Sequence, residues 1–468
     1  MDIDPKIFKA YDIRAIYPTQ INEEVMSRIA KAAYTFFRNK LQTDKQISVV
    51  MGCDMRTSSP SLFKVAKEAF VEMGARVIDI GLISTPSFYF AVFHMGYDAG
   101  FQVTASHNPK EYNGAKFVLN SPNGLIKIGK STGMEDVKNI AIQGTFAPPQ
   151  LGGKVEKKEG VMEEEVTNAL TVLGNPEIKK FKIVADTANA MGAQYIAALF
   201  KHVPAELIKM NFEFDGTFPA HQPDPLNFEN LKDLQARVLE EKADFGLAPD
   251  GDGDRLFFID EKGQVVPASI ITSIIATEML RKHPGATILF DIRYILGAKK
   301  IVEENGGKYD VTKVGHAFIT ESMNKTGAVF GGESSAHYFY KDAGNGENQL
   351  MTILYVLKVL TEKGKTLSEL ADEYRRSYES TEFNFRVTNA PEILSALKEK
   401  YKDGELSELD GVSVTYQDWR FNVRTSNTEP LLRLNVEAYD KTKMEEKRDE
   451  LKAFIKSVAK EDTSASGH

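Results

Sequence analysis

The sequence has one cysteine, no excess of basic residues and no long apolar run. The single cysteine, Cys53, excludes an intrachain disulfide and a zinc site built from several cysteines. Lysine and arginine number 58 against 66 acidic residues, so the net charge of −8 gives no general attraction for nucleic acid or anionic membranes. The most apolar stretch, residues 270–280, is too short to span a bilayer, and the first residues do not resemble a secretory signal. We expect a cytoplasmic globular protein without nucleic-acid or membrane partners.

A unit of strand, Asp-containing turn and amphipathic helix recurs three times along the 468 residues. Its strands are predicted at 47–51, 183–185 and 287–290, and the turns contain Asp54, Asp186 and Asp291. Two further strand signals follow each copy, which predicts three related α/β units with largely parallel sheets. In the first copy we expect Ser59 to cap the helix and Pro60 to open it.

The chain changes character after about residue 378. A helix at 391–402, strands between 412 and 437 and a closing helix at 442–459 predict a smaller α+β domain. A stretch rich in Gly, Pro and Gln at 144–153 is typical of a linker.

The third strand of each α/β unit is followed by a polar loop, at 104–109, 250–255 and 332–337. Ligands bind at the carboxyl ends of strands in open α/β sheets, so these loops are the candidate site.

The second loop alternates Asp250, Asp252 and Asp254 with glycines, and three carboxylates so spaced suit Mg²⁺ or Ca²⁺. An EF-hand is excluded because Arg255 occupies the sixth position, where that loop needs glycine. Arg255 itself suits a phosphate group.

The first loop places Ser106 in a turn with His107, where the serine is a helix cap, a loop residue or a nucleophile that carries phosphate. His107 is a candidate base for it. Lys116 handles a proton, neutralises a phosphate or is simply a solvated lysine. These residues alone do not choose between the alternatives.

Two further loops have side chains that suit a sugar phosphate. Glu333, Ser335 and His337 alternate after a strand and could hold adjacent sugar hydroxyls, although a plain polar loop is the alternative. A loop in the last domain suits a phosphate dianion, with an ordinary turn as its alternative, and contains Arg424, Ser426, Asn427 and Thr428. Near the N-terminus, Arg14 contacts a phosphate or pairs with Asp12.

Five motifs occur in an order that resembles the α-D-phosphohexomutase superfamily, and within it the phosphomannomutase/phosphoglucomutase branch. They are Tyr11-Asp12-Ile13-Arg14, Thr-Ala-Ser-His-Asn-Pro (104–109), Asp-Gly-Asp-Gly-Asp-Arg (250–255), Gly-Glu-x-Ser-x-His (332–337) and Arg-x-Ser-Asn-Thr-x-Pro (424–430). The resemblance spans residues 8–437 and implies three related α/β domains and a smaller fourth around a central cleft. We expect the domains at 1–152, 153–262, 263–375 and 376–468.

The resemblance implies a phosphoserine at Ser106 and a Mg²⁺ site of Ser106 with the three aspartates. The implied reaction moves phosphate between positions 1 and 6 of mannose or glucose, through glucose 1,6-bisphosphate or mannose 1,6-bisphosphate. The implied catalytic residues are Ser106, His107, Lys116, Arg255 and His337. The implied substrate-binding residues are Tyr11, Arg14, Arg293, His316, Glu333, Ser335, His337, Arg424, Ser426, Asn427 and Thr428.

Four features of this interpretation stay open. The general base is His337, Lys116 or His316, and we favour His337 for one substrate orientation. Arg293 and Ser334 stand where the family commonly has Lys and Met, which weakens the choice of sugar. The alternative functions are a phosphoglucosamine mutase, a Mg²⁺-dependent sugar phosphatase and a binding protein without turnover. We expect a monomer, with a dimer as the alternative.

Overall fold

The computed structural model describes residues 2–425 and 431–460. Its first α/β unit contains a seven-stranded sheet in the order β1-β5-β4-β2-β3-β7, with β6 paired to β5. The strands are β1 Ile13–Ile16, β2 Ser48–Cys53, β3 Arg76–Leu82, β4 Ala99–Val103, β5 Tyr112–Ser121, β6 Gly124–Lys127 and β7 Lys154–Lys157. The helices are α1 Glu23–Leu41, α2 Ser59–Glu72, α3 Thr85–His94 and α4 Met134–Gln143.

The second unit contains a five-stranded sheet in the order β12-β11-β10-β8-β9. Its strands are β8 Phe181–Asp186, β9 Ala205–Met210, β10 Phe245–Pro249, β11 Leu256–Asp260 and β12 Val265–Val266. Its helices are α5 Val161–Val172, α6 Gly192–Leu199 and α7 Lys232–Glu241.

The third unit has a five-stranded sheet in the order β14-β13-β15-β16-β17. Its strands are β13 Thr287–Asp291, β14 Lys308–Thr312, β15 Phe330–Gly332, β16 Tyr338–Tyr340 and β17 Gly346–Glu347. Its helices are α8 Ala268–Lys282, α9 Leu296–Glu304, α10 His316–Thr326, α11 Gln349–Lys363 and α12 Leu367–Tyr374.

The three units share one topology. In each, a central strand (β2, β8 or β13) pairs in parallel with two neighbours, and the second of these neighbours pairs antiparallel with the next strand. The repeat predicted from the sequence is therefore present, and the polar loops follow the equivalent strands β4, β10 and β15.

The last unit is a six-stranded antiparallel sheet with two helices, as predicted. Its elements are β18 Tyr378–Glu379, β19 Phe383–Phe385, α13 Ala390–Lys400, β20 Glu405–Ser407, β21 Val412–Thr415, β22 Trp419–Thr425, β23 Leu432–Ala438 and α14 Lys441–Val458. Glu437 joins it to the third unit, because its carboxylate accepts from the first backbone N–H groups of α9, at Ile295 (2.7 Å), Leu296 (2.9 Å) and Gly297 (3.0 Å). A carboxylate is favoured at a helix N-terminus.

The apolar core is divided differently from the sheets. The last unit has a core of its own, and one continuous core joins the second and third units. The first unit has a larger core with α1, α2 and α4 and a smaller one around α3 that includes Val161 of the second unit. No helix of the described residues is long and apolar enough to cross a membrane.

Two local expectations differ from the structure. Ser58, not Ser59, is the N-cap of α2, and it makes no side-chain capping bond. Ser59 Oγ donates instead to Asp54 Oδ1 at 2.5 Å, because the turn after β2 places that carboxylate within reach. The segment after the expected linker forms β7, which pairs with β3 and so extends the first sheet beyond residue 152.

Candidate active site

Ser106 follows β4 in a turn that directs its hydroxyl at the acidic loop of the second unit. The residue is 2% exposed and has a left-handed backbone, with φ of 51°. Its Oγ donates to Asp250 Oδ2 at 3.2 Å and lies 3.2 Å from His107 Nδ1. The serine loop and the acidic loop are thus in direct contact.

This contact requires Gly251. A Cβ at that position would lie 2.3 Å from the carbonyl oxygen of Ser106, which is closer than any side chain tolerates. The glycine of the acidic loop therefore allows the two loops to approach each other.

The three aspartates after β10 are buried, and one oxygen from each lies within 4.8 Å of the others. Burial raises the pKa of Asp250 well above its ordinary value, and the charges of Asp254 and Asp252 raise it further. Asp252 Oδ1 is buried without a hydrogen-bond partner among the described residues. Mutual repulsion and an oxygen without a partner fit a site for a hard divalent cation.

Side chains from other units fix this acidic loop. Lys116 Nζ donates to Asp252 Oδ2 (2.7 Å) and Asp254 Oδ2 (2.5 Å). Thr85 Oγ1, at the start of α3, donates to Asp252 Oδ2 at 2.6 Å, and Gln349 Nε2, at the start of α11, donates to the Asp254 carbonyl at 2.5 Å. The first three units therefore converge on the aspartates.

Lys116 is buried and does not behave as the solvated lysine that the sequence left open. Burial alone would lower the pKa of Lys116, but Asp252 and Asp254 raise it well above its ordinary value. The side chain is therefore a fixed positive charge beside the carboxylates.

The third polar loop meets the acidic loop at His337. His337 Nε2 lies 3.1 Å from Asp254 Oδ1, and Nδ1 lies 2.9 Å from Glu333 Oε2 and 3.0 Å from Ser335 Oγ. Burial alone would lower the pKa of His337, but Asp254 and Glu333 raise it to about 9. The imidazole is consequently protonated near neutral pH.

Arg255 lies between the serine loop and His337. Its backbone N–H donates to Asp250 Oδ1 at 3.1 Å, and its Nε lies 3.3 Å from His337 Nε2. Asp224, in the loop before α7, lies 3.7 Å from the guanidinium. The side chain is mostly buried, so it presents a held cation at the acidic loop.

Arg293 follows β13 and is held by Asp291, with Nε and Nη2 donating to the two carboxylate oxygens at 2.9 and 3.0 Å. Nη2 also donates to Ser335 Oγ at 3.1 Å. Asp291 in turn accepts from the backbone N–H of Ser334 at 2.6 Å. This pair therefore supports the Glu333–His337 loop.

His316 lies at the N-terminus of α10, 7% exposed, and neither ring nitrogen has a hydrogen-bond partner among the described residues. Burial lowers the pKa of His316 well below its ordinary value, and the nearby charge of Lys127 adds to the effect. Tyr11 packs edge-on against this ring at 5.6 Å and donates its hydroxyl to the Val314 carbonyl at 2.7 Å. Tyr11 thus joins the first unit to the third.

Arg14 is not the exposed residue that surface pairing would require, because its side chain is 13% exposed. It pairs with Asp12 at 3.0 Å and also donates to Asn108 Oδ1 in the serine loop. The pairing with Asp12 is therefore present, but it is largely buried beside the serine loop and not on the surface.

Arg424, at the end of β22, is the described part of the fourth loop. It is 1% exposed, its Nη2 donates to Glu382 Oε2 at 3.2 Å, and its Nε has no hydrogen-bond partner among the described residues. Burial lowers the pKa of Arg424, although Glu382 opposes that effect. Ser426, Asn427 and Thr428 lie outside the described residues.

Sequence reasoning missed three features that support the site. Thr85 and Gln349 hold the acidic loop, Arg56 holds the serine loop, and a buried ion pair of Lys127 with Glu347 joins the first unit to the third beside His316. Of these residues, only Arg56 could have been singled out from the sequence, because Asp54-x-Arg56 is repeated in the third unit as Asp291-x-Arg293.

The repeated units and the loops gathered at their strand ends define an enzyme of the sugar-phosphate mutase class. Profiles for the four domains of phosphoglucomutase/phosphomannomutase match the chain: alpha/beta/alpha domain I at residues 5–141, domain II at 164–263, domain III at 268–378 and the C-terminal domain at 382–453. The chain belongs to the phosphoglucomutase/phosphomannomutase family.

Individual relatives agree along almost the whole chain. A phosphomannomutase of Vibrio cholerae is 36% identical over 461 residues, which are 96% of this chain and 98% of the relative. One of Methanocaldococcus jannaschii is 38% identical and covers 97% and 98%. The crystal structure of a phosphoglucomutase/phosphomannomutase family protein from Burkholderia thailandensis superposes with a TM-score of 0.87 at 29% identity, covering 98% and 99%. The predictions of a phosphohexomutase and of its fold class are confirmed.

Proposed function

We propose that the protein interconverts hexose 1-phosphates and hexose 6-phosphates through a phosphate carried on Ser106. The observation that supports this most directly is the placement of a buried serine hydroxyl against Asp250, between His107 and the fixed cations Arg255 and Lys116. A phosphate on Ser106 would lie where positive charge is already held in place, and such electrostatic positioning dominates phosphoryl transfer.

The proposed reaction has two transfers. In the first, the bond between phosphorus and Ser106 Oγ breaks while phosphorus bonds to the free hydroxyl of the substrate, whose proton passes to a base. The resulting hexose 1,6-bisphosphate turns over in the cleft. Its other phosphate then returns to Ser106, which releases the isomeric monophosphate and restores the phosphorylated protein.

Asp250, Asp252 and Asp254 are proposed to hold Mg²⁺, with the oxygen on Ser106 as a further ligand. The fit rests on the crowding of buried carboxylates and the unpartnered Asp252 Oδ1. A bound Mg²⁺ would supply charge neutralisation at the transferred phosphoryl group.

Glu333, Ser335 and His337 are proposed to read the sugar hydroxyls, with Arg293 beside them. Arg424, whose buried Nε lacks a described partner, is proposed to grip the phosphate that is not transferred. Ser426, Asn427 and Thr428 join it by the sequence argument alone. Mannose and glucose phosphates are the proposed substrates, and the relatives named phosphomannomutase favour mannose.

His337, which the sequence favoured as the base for one substrate orientation, is protonated near neutral pH, so it is proposed instead as the acid that returns a proton to the hydroxyl oxygen in the reverse direction. It lies at the meeting of the sugar loop and the acidic loop, within reach of both. His316, whose lowered pKa keeps it neutral, is the proposed base, because both of its nitrogens lack described partners.

The domain limits at 152, 262 and 375 remain proposals, although β7 and β12 complete the sheets of the first and second units a few residues beyond the first two limits. Activation by glucose or mannose 1,6-bisphosphate, a monomeric state and a cytoplasmic location stay predictions.

Replacing Ser106 by Ala tests the proposal. Wild-type protein with Mg²⁺, a trace of glucose 1,6-bisphosphate and either mannose 1-phosphate or glucose 1-phosphate is expected to form the 6-phosphate without free phosphate. Ser106→Ala should lose at least about a thousandfold in rate, since the phosphate carrier is absent. Ser457→Ala, an exposed serine on α14, is the matched control and should retain full activity.

Three other results would redirect the assignment. Release of inorganic phosphate in place of 6-phosphate would indicate a sugar phosphatase, and binding without either product would indicate a protein without turnover. Activity on glucosamine phosphate well above that on mannose and glucose phosphates would indicate a phosphoglucosamine mutase.

A further inference from the structure

Arg56 is a fully buried arginine whose donors are directed at backbone carbonyls. Its Nη1 donates to the carbonyls of Pro109 (2.7 Å) and Tyr112 (3.0 Å), and its Nη2 donates to those of Ser106 (2.7 Å) and Asn108 (2.6 Å). Its side chain is 0% exposed. All four carbonyls belong to residues 106–112, so one guanidinium gathers the serine loop around itself.

The serine loop needs such support. Ser106 has a φ of 51°, a left-handed conformation that a residue with a side chain adopts only where its surroundings hold it. Within the loop, the Thr104 hydroxyl accepts from the Ser106 N–H at 3.0 Å. The bond from Arg56 fixes the other end of the residue, at its carbonyl, and so determines the direction of Oγ.

Arg56 is itself fixed from two sides. Asp54 Oδ2 accepts from Nε at 3.2 Å, and Asp54 Oδ1 accepts from the Arg56 backbone N–H at 3.0 Å. From the second unit, Gly216 packs on the Arg56 backbone so tightly that a Cβ would lie 2.6 Å from Arg56 Cα. The Phe218 ring covers the guanidinium at 5.2 Å.

We propose that Arg56 is a positioning residue for phosphoryl transfer, which holds Ser106 Oγ in line with Asp250 and does not touch the substrate. This inference rests on the proposed function of Ser106. A planar guanidinium can donate to four carbonyls and one carboxylate at once, whereas an ammonium group has three donors on a single atom. Lysine therefore cannot reproduce the arrangement, although it keeps the charge.

The test compares Arg56→Lys with wild type by single-turnover transfer from the phosphorylated protein to hexose 1-phosphate. We expect the transfer rate to fall roughly 10- to 100-fold, the loss associated with small misplacement of a reacting group. The KM for hexose phosphate should change by less than about twofold, because binding groups are untouched. Arg28→Lys is the matched control, since Arg28 also donates to two carbonyls in the first unit, Ala141 and Ile142, away from the cleft.

Gly216→Ala gives an independent test in case Arg56→Lys fails to fold. The added methyl presses on the Arg56 backbone without changing any charge, and it should also slow transfer at unchanged KM. The exposed neighbour Thr217→Ala is its control. A transfer rate within about twofold of wild type in folded Arg56→Lys or Gly216→Ala would overturn the proposal, as would a raised KM at constant kcat.

The proposal and the proposed function fail in different ways. Wild-type protein that takes up no phosphate on Ser106 from glucose 1,6-bisphosphate would contradict the function itself, and the positioning role of Arg56 would fall with it. Wild-type protein that transfers phosphate from Ser106, alongside an unimpaired Arg56→Lys, would contradict the positioning role alone.

Discussion

The first and third units contain the same turn and use it differently. Asp54-x-Arg56 follows β2 and Asp291-x-Arg293 follows β13, and in both the aspartate accepts from the backbone N–H of the arginine, at 3.0 and 2.8 Å. Arg56 donates to four backbone carbonyls of the serine loop. Arg293 pairs with both oxygens of Asp291 and donates to the side chain of Ser335.

The two arginines also differ in the direction in which their pKa is shifted. Burial lowers the pKa of Arg56, and the charge of Asp54 does not offset it. Burial acts in the same direction on Arg293, but the pKa of Arg293 is raised because Asp291 outweighs burial. One turn thus fixes the backbone around Ser106, the proposed phosphate carrier, while the other supports side chains that are proposed to bind the sugar.

The second unit lacks this arginine. Its aspartate, Asp186, accepts from Asn211 Nδ2 at 2.9 Å and lies 3.1 Å from His221 Nε2, while Ala188 takes the arginine's place. His221 precedes Gln222, which donates to the His107 carbonyl at 3.0 Å. The second unit therefore also supports the serine loop, through Gln222.

The largest loss of unfolding free energy is expected when the aspartate of either turn is replaced. Asp54→Asn and Asp291→Asn each leave a buried arginine without its carboxylate, which should cost about 3–5 kcal/mol of unfolding free energy. Denaturant unfolding measures this loss. The kinetics should separate the two, with kcat reduced in Asp54→Asn and KM raised in Asp291→Asn. Identical kinetic changes in both variants would break the comparison.

A smaller, pH-dependent effect on the free energy of unfolding is expected from Glu165, a buried carboxyl that has no cation among its described neighbours. Its Oε1 accepts from Asn348 Nδ2 at 3.1 Å. Burial raises the pKa of Glu165 to about 7, although hydrogen bonds from Ser87 and Asn348 oppose the shift. The folded state therefore favours the protonated form, so stability is fully present below about pH 4.5 and is lost as the pH rises through 7.

Glu165→Gln removes this titration and should stabilise the protein by roughly 3 kcal/mol at pH 8 and by almost nothing at pH 4. Thermal unfolding of both proteins at the two pH values measures the difference. A constant offset between the two curves, or a stabilisation confined to acidic pH, would show that Glu165 does not carry a raised pKa.

The sequence predicted the repeated units and the polar loops because both are local patterns. A strand periodicity can be recognised within a few residues, and so can the alternation of Asp250, Asp252 and Asp254 with glycines. It did not predict that Ser59 would bind Asp54 in place of capping α2, since either bond satisfies the hydroxyl. The contacts of Arg56 with residues 106–112 span about 50 positions, and no local pattern specifies them.

Strand pairing at the unit boundaries was missed for a related reason. β7 and β12 are short strands, and each joins a sheet only because a neighbouring strand offers a free edge. β7 pairs with β3, and β12 pairs with β11. The sequence also did not predict that Lys127 pairs with Glu347, because the two residues are 220 positions apart and neither belongs to a motif.

The most direct measurement of the central claim is rapid mixing of protein phosphorylated on Ser106 with unlabelled mannose 1-phosphate, followed by quenching and product analysis. We expect one equivalent of mannose 1,6-bisphosphate to form as the phosphate leaves Ser106, before 6-phosphate accumulates, with no inorganic phosphate. Formation of 6-phosphate while the original phosphate stays on Ser106 would contradict the account.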